Sequence, residues 1–362
     1  PAPLAPGELA AAPRKPKPNL IRAAKDGNLT ALEELLREGA DVEQVGMWDN
    51  TPLLVACSYG RAEAALMLIH HKANIAAQNE HGATALHYVS VEGCLSVAEA
   101  LIAQEQSVGS KESLKKLVDP GAAKVYNRHL DAYALRTPLA CAAESGFADL
   151  VGVLLAAGAS PDIAGEDGRT PLWLACRQSR QSVATVLLQH GAQASAKDAE
   201  GVSVLGAACI AGDEPLILSL LARGVGDVND TVGLPLRDVV RAGKRAAAEA
   251  LLTHGAVVQP LAKEGGVDTP LHAACEKGDE YIVGLLVRSR ADPSCCSTTG
   301  QTAFDLLRRR GISDGHISTL LSPPSCVGCQ EGGTGTTGDC GAEQEDLTGE
   351  EQAADPAVAD VH

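Results

Sequence analysis

Aromatic residues are scarce in this chain of 362 residues. Only 2% of the residues are Phe, Trp or Tyr, although 45% are hydrophobic. Alanine, leucine and valine must therefore supply the core, which is typical of packed short helices. A large globular core built around aromatic side chains is excluded.

Long hydrophobic runs are also missing. No stretch of about eighteen apolar residues exists, so we expect no membrane span. The chain begins at Pro1 without the charged-then-apolar pattern of a secretory signal. Residues 1–17 are rich in proline and alanine, and we expect a disordered leader there.

A recognisable catalytic arrangement is absent as well. No nucleophile, base and orienting acid recur at a known spacing, and no glycine-rich loop could cradle a phosphate. The segments outside the repeats described below have about 17, 20 and 41 residues, each too short for a catalytic domain. We therefore predict that the protein is not an enzyme and uses no cofactor.

Basic residues are lacking from one end of the chain. Its net charge is −16, of which −9 falls on residues 322–362, where there is no Lys or Arg. This acidic, glycine-rich segment is predicted to be a disordered tail. The one basic run, Arg308-Arg309-Arg310, is interpreted as a solvated repeat edge, so nucleic-acid binding is not expected.

The chain does contain a recurring sequence motif. Thr-Pro-Leu occurs at Thr51, Thr137, Thr170 and Thr269, and degenerate copies start at Pro18, Thr84, Ser203, Leu234 and Thr302. Five of the eight intervals between these starts are 33 residues long. A fixed period of this length predicts a stacked repeat array, which presents an extended surface for binding.

The unit that begins at Thr137 predicts a pair of short helices. Thr137 can cap the first helix, and Pro138 suits its first position. Gly146 and Gly158 suit the left-handed residues that end the first and second helices. Because such short helices are unstable alone, each pair must bury its apolar face against its neighbours.

These residues resemble the ankyrin repeat family. The closest matches are Gly168-Arg169-Thr170-Pro171-Leu172-Trp173-Leu174-Ala175-Cys176 and Thr269-Pro270-Leu271-His272-Ala273-Ala274-Cys275. The resemblance implies an all-α ankyrin-repeat solenoid of about nine helix-turn-helix repeats over residues 18–321. It also implies that His87 and His272 hydrogen-bond between repeats, and that Trp173 belongs to the packing.

Protein binding is the function that the resemblance implies. Ankyrin arrays usually bind partners on a concave face made by hairpin tips and by first-helix residues near the following glycine. Carried over by position, the partner-binding residues are Trp48, Asn50, Tyr59, His81, Glu92, Arg136, Glu144, Arg169 and Arg177. We expect a monomeric scaffold or adaptor for other proteins, or alternatively the substrate-recruitment arm of an enzyme complex.

The one long interval, between Thr84 and Thr137, contains about 20 additional residues near 105–133. Residues 110–118, followed by Asp119-Pro120-Gly121, predict a short capped helix with a sharp stop. The basic residues of the insertion (Lys111, Lys115, Lys116, Lys124 and Arg128) could meet an acidic partner or the acidic tail. The other interpretation is a tolerated surface loop.

The eleven cysteines indicate a reduced compartment. Cys57, Cys176, Cys209 and Cys275 fall six residues after their repeat starts and are predicted to be small buried hydrophobes. We therefore expect a cytoplasmic protein, and the basic residues of the leader leave a nuclear location open. Cys326 and Cys329, with Cys340 nearby, offer an alternative function as a metal- or redox-responsive regulator.

Overall fold

The structure is a computed structural model that describes residues 19–127, 132–229, 235–259 and 268–309. Over these ranges the chain forms successive pairs of helices, each with a first and a second helix joined by a tight turn. Eight pairs and the first helix of a ninth are present, so the predicted all-α repeat fold is confirmed. The leader of residues 1–17 and the tail of residues 322–362 lie outside the described residues.

The helices form two layers, because each first helix packs on the first helices of its neighbours and most second helices do the same. The first helices are α1 Leu20–Asp26, α3 Pro52–Ser58, α5 Ala85–Glu92, α8 Pro138–Ser145, α10 Pro171–Arg177, α12 Val204–Ala211, α14 Pro235–Ala242, α16 Pro270–Lys277 and α18 Ala303–Arg309. The second helices are α2 Leu29–Arg37, α4 Ala62–His70, α6 Leu95–Val108, α9 Ala148–Ala156, α11 Gln181–Gln189, α13 Glu214–Ala222, α15 Arg245–Thr253 and α17 Glu280–Arg288.

The threonine and glycine positions act as the sequence predicts. The Thr137 hydroxyl accepts a hydrogen bond from the Ala140 N–H at 3.2 Å, and Gly146 ends α8 with φ 98°. The first repeat differs by one residue, because the cap of α1 is Asn19 and not Pro18. The Asn19 carboxamide accepts the Arg22 N–H at 2.7 Å, which a proline side chain could not do.

The core is a continuous layer of alanine, leucine and valine between the two helix layers. It runs from Leu20 to Leu307, and all eight residues of α8 are buried. The four predicted cysteines are buried in the first helices. Burial raises the pKa of Cys176 and of Cys275 to about 12, so these thiols stay protonated and act as small apolar side chains.

The insertion folds as a helix followed by a β-hairpin. The predicted helix is confirmed as α7, Lys111–Val118, capped by Ser110. The hairpin, which the sequence did not predict, consists of β1 Ala123–Asn127 and β2 Ala132–Arg136, with Ala123 opposite Arg136 and Val125 opposite Ala134.

Contacts with repeats on both sides fix the insertion in place. Leu117 and Val118 belong to the main core, and the Asp119 carboxylate accepts the Ser160 N–H at 3.0 Å and the Ser160 hydroxyl at 2.9 Å. Ala123 and Val125 of β1 form a second small core with Val91 of α5 and Cys141 of α8. Over its described residues the insertion is therefore a helix and a hairpin packed on the array, and not a loop.

Ring nitrogens of three first-helix residues hydrogen-bond to the backbone of the segment that follows their repeat. His272 Nε2 lies 3.1 Å from the Gln301 carbonyl oxygen, and Trp173 Nε1 donates to the Val202 carbonyl at 3.0 Å. Gln301 and Val202 each precede the cap of the next repeat, so the indole replaces the imidazole at an equivalent position. His87 Nε2 instead lies 3.1 Å from the Gly121 carbonyl, which belongs to the insertion. The predicted roles of His272 and Trp173 are therefore confirmed, whereas His87 is buried in the packing but bonds to the insertion and not to the next repeat.

His87 should make the stability of the array depend on pH. Its Nδ1 accepts the Thr84 N–H, and burial lowers its pKa to about 4 from the ordinary 6.5. The unfolded chain therefore binds a proton between these values while the folded chain does not, so stability falls as the pH drops below about 6.5. Between pH 7 and pH 5 this loss is about 2 kcal/mol.

The measurement is thermal unfolding by circular dichroism of the wild type and of His87→Gln at both pH values. Glutamine cannot titrate, so the variant should lose less stability between pH 7 and pH 5, although it is less stable than the wild type at pH 7. Equal losses in the two proteins would show that His87 does not cause the pH dependence.

Candidate partner-binding surface

The candidate surface combines the first helices with the fingers. We use finger for the loop that connects the second helix of one repeat to the first helix of the next. In four fingers a glycine with positive φ stands two residues before the cap, as Gly82, Gly168, Gly201 and Gly300 do. This turn folds the loop back so that its tip stands beside the first helices.

Among the fingers that the structure describes in full, the first differs in its apolar tip. Val45, Met47 and Trp48 are 65%, 75% and 58% exposed, and they stand in or next to a short 3₁₀ turn, Met47–Asp49. Trp48 and Asp49 have φ of 57° and 56°, a left-handed conformation that is strained in residues other than glycine. The strain is tolerated where the large aromatic side chain is most accessible.

Hydrogen bonds hold this tip in one conformation. The Asn50 carboxamide donates to the Met47 carbonyl at 3.0 Å and accepts from Asn79 Nδ2 at 3.1 Å. The Glu80 N–H of the second finger donates to the Trp48 carbonyl at 3.1 Å. Asn50 therefore links two fingers, and Trp48 stands on a preorganised support, which lowers the entropy cost of binding.

Three further predicted residues, in the second and third repeats and the finger between them, are at least partly accessible. Tyr59, at the end of α3, is 42% exposed, and its ring lies 5.0 Å from Lys25 Nζ. His81 is exposed in the second finger, and Glu92 is partly buried at the end of α5. The Glu92 carboxylate lies beside Gly60, so it belongs to the junction between the second and third repeats.

Arg136 and Glu144 are buried, so the prediction that they are displayed to a partner is wrong. The Arg136 guanidinium reaches the Asp167 carboxylate at 2.9 Å and the Glu144 carboxylate at 3.9 Å. Because Arg136 ends β2, the hairpin carries its side chain inward between α8 and the next finger. Arg136 and Glu144 therefore have a structural role at the contact between the hairpin, α8 and the next finger.

Arg169 and Arg177 have different surroundings. The Arg169 guanidinium lies 4.5 Å from the Trp173 ring and within 3.7 Å of the Asp167, Asp198 and Glu200 carboxylates. These contacts hold it in place, and about a third of its side chain stays accessible. Arg177 is exposed at the end of α10, where a partner could reach it.

The sequence prediction missed several accessible residues. Val45 and Met47 were omitted, although an apolar pair beside Trp48 in a loop is itself a signal of an exposed patch. Ile210 of α12 is 42% exposed and was also missed. The sequence near Val91 could not show that Val91 is buried, because the residue that covers it, Val125, comes from the insertion.

Two further expectations concern metals and membranes. Among the described residues, no group of three or more His, Cys, Asp or Glu side chains is placed to hold a metal ion. Cys326, Cys329 and Cys340 lie outside those residues. Within the same part of the chain, no helix is long and apolar enough to cross a bilayer.

Comparison with known proteins identifies the repeats. A family model of three consecutive ankyrin repeats matches residues 20–112 and 103–198, and a single ankyrin repeat model matches residues 268–298. Among solved structures, the ankyrin repeat domain of Bcl-3, a unique member of the IkappaB protein family, is similar with a TM-score of 0.50. The match has 27% sequence identity and covers 67% of this chain and 99% of that chain.

Proposed function

Because this chain belongs to the ankyrin repeat family, we propose that it is a non-catalytic scaffold or adaptor that binds another protein along its fingers and first helices. Repeat arrays of this kind bury little of their face internally, and they use it for recognition. We further propose that it acts in the cytoplasm or the nucleus.

The apolar tip of the first finger carries this proposal. Interfaces concentrate their binding energy in a few large side chains, and tryptophan and tyrosine are the most frequent of these. The chain has two tryptophans, of which Trp173 is buried and Trp48 is exposed on a strained, hydrogen-bonded turn. With Met47 and Val45 beside it, Trp48 can fill an apolar pocket of a partner.

The double variant Trp48→Ala/Tyr59→Ala tests the proposal. Immobilised wild-type protein is used to capture partners from native lysate, and the recovered proteins are quantified. We expect those enriched by the wild type to bind the variant at least about tenfold more weakly, since truncated hot spots typically cost more than about 2 kcal/mol. Retention of the same partners with unchanged affinity would contradict an anchor at this tip.

A matched control removes apolar area from the second-helix layer. Val108 at the end of α6 and Leu218 of α13 are exposed, and neither belongs to a finger or a first helix. The double variant Val108→Ala/Leu218→Ala should capture the same proteins as the wild type. Thermal unfolding of both double variants verifies that neither has lost the fold.

A further inference from the structure

The seventh residue of each first helix forms a row across the array from the second repeat onward. We call this set the seventh-residue row. Because the first helices pack side by side, equivalent positions on successive helices are neighbours on one face. The row consists of Ser58, Val91, Glu144, Arg177, Ile210, Arg241, Glu276 and Arg309.

The insertion divides this row. Val91 is buried beneath β1, in the small core that contains Val125, and Glu144 is buried beside Arg136 of β2. Arg177, Ile210, Arg241 and Glu276 are exposed. A partner that lies along the row beyond the hairpin therefore meets a bounded stretch that begins at Arg177.

This stretch has a defined chemistry. Two arginines, Arg177 and Arg241, flank the apolar Ile210, and the residues that follow each of the three in the chain (Gln178, Ala211 and Ala242) carry no charge. Most of the nearby carboxylates pair with arginines outside the row. Asp198 and Glu200 lie against Arg169, and Asp238 lies 3.3 Å from Arg237 but also interacts electrostatically with Arg241.

We propose that Arg177, Ile210 and Arg241 bind an extended peptide segment in which two acidic residues flank an apolar one, with two residues between each. Packed helices are about 8–10 Å apart. In the polyproline II conformation the chain advances about 3.1 Å per residue with three residues per turn, so every third side chain lies on one face and meets the next helix. A basic residue three positions further along would face Glu276 and fix the direction of the segment.

This proposal rests on the proposed function and specifies the chemistry of one partner segment. The charges determine which segment is accepted, since opposite charges steer association and like charges reject it. The apolar residue adds burial against Ile210. The surface is distinct from the first finger, because the hairpin and the two covered row positions lie between them.

The test measures binding of labelled peptides to the full chain by fluorescence anisotropy at low ionic strength. The probe is Glu-Ser-Ser-Leu-Ser-Ser-Glu, flanked by serines. The controls are a peptide with one serine in each gap and a peptide with lysine in place of each glutamate. We expect the probe to bind about tenfold more tightly than either control, and added salt to weaken it.

Charge reversal gives the sharper result. In Arg177→Glu/Arg241→Glu we expect the probe to lose about tenfold in affinity and the lysine peptide to gain a similar factor. The matched control Arg223→Glu/Arg288→Glu changes the net charge equally, at exposed positions at the end of α13 and in α17, and should bind the probe as the wild type does.

Two outcomes would overturn the proposal. One is that the probe binds no better than its controls. The other is that charge reversal at Arg177 and Arg241 affects binding no more than reversal at Arg223 and Arg288. Trp48→Ala/Tyr59→Ala should still bind the probe. If this variant loses its captured partners but keeps peptide binding, only the role of the first finger is affected. Captured partners that depend on Trp48, without any peptide binding, would retain the scaffold function and reject this surface.

Discussion

Replacing Gly93 by alanine should lower the free energy of unfolding by about 3 kcal/mol. Gly93 ends α5 with φ 75°, where a side chain costs roughly 1–2 kcal/mol. A Cβ at this position would also lie 2.5 Å from the Phe147 ring of the next repeat, and overpacking of this kind adds about 1–3 kcal/mol.

Other glycines provide a graded comparison. A Cβ at Gly146 would meet the Arg180 side chain at 2.7 Å, which is long and flexible and can move aside. Gly158 has φ 97° and nothing within 4 Å of the added atom. Gly158→Ala should therefore cost only the backbone strain, about 1 kcal/mol, with Gly146→Ala between the two.

Urea unfolding at constant pH measures all three variants. An order of destabilisation in which Gly93→Ala is the largest and Gly158→Ala the smallest supports contact between repeats as the main cause. If the three variants were equally destabilised, backbone conformation alone would explain the loss, and Phe147 would have no part in it.

Replacing Arg136 by alanine should destabilise the array by a similar amount, about 3 kcal/mol. Removing one partner from a buried ion pair leaves the other charge with less compensation for its lost hydration. Here Glu144 is buried and Asp167 is mostly buried, and both face the lost guanidinium, although Asp167 keeps its ion pair with Arg169. The Arg136 side chain also connects the end of β2 to Asp167 of the next finger, so the loss should be concentrated near the insertion.

Unfolding of Arg136→Ala and Arg177→Ala measured side by side checks this prediction. Arg177 is exposed and has no ion pair among the described residues, so its truncation should change stability by less than about 0.5 kcal/mol. Hydrogen exchange should show the loss of protection of α8 in the Arg136 variant. A stable Arg136→Ala protein with unchanged exchange would mean that the ion pairs contribute little.

The repeat fold could be predicted from the sequence because each unit carries its own start and stop signals. Thr137, Pro138 and Gly146 act within one helix, so their roles follow from local geometry. The buried cysteines follow in the same way from their positions relative to the repeat starts. The helix α7 was predicted because Ser110 caps it locally.

The candidate surface could be predicted only in part. Trp48 and Tyr59 are accessible, as their positions in the repeat suggested, whereas Arg136 and Glu144 occupy similar positions and are buried. The difference comes from the hairpin, which has no counterpart in the other described repeats. Its β1 strand covers Val91. Its last residue is Arg136, which was predicted to bind a partner and instead forms buried ion pairs.

The sequence by itself determined the architecture, since a helix cap, a helix stop and an apolar period depend on residues a few positions apart. The tertiary structure decided which members of the surface a partner can reach. Exposure depends on side chains that meet only after folding, such as Arg136 and Asp167, which are 31 residues apart. Burial of one face by a distant segment is not encoded in the repeat period.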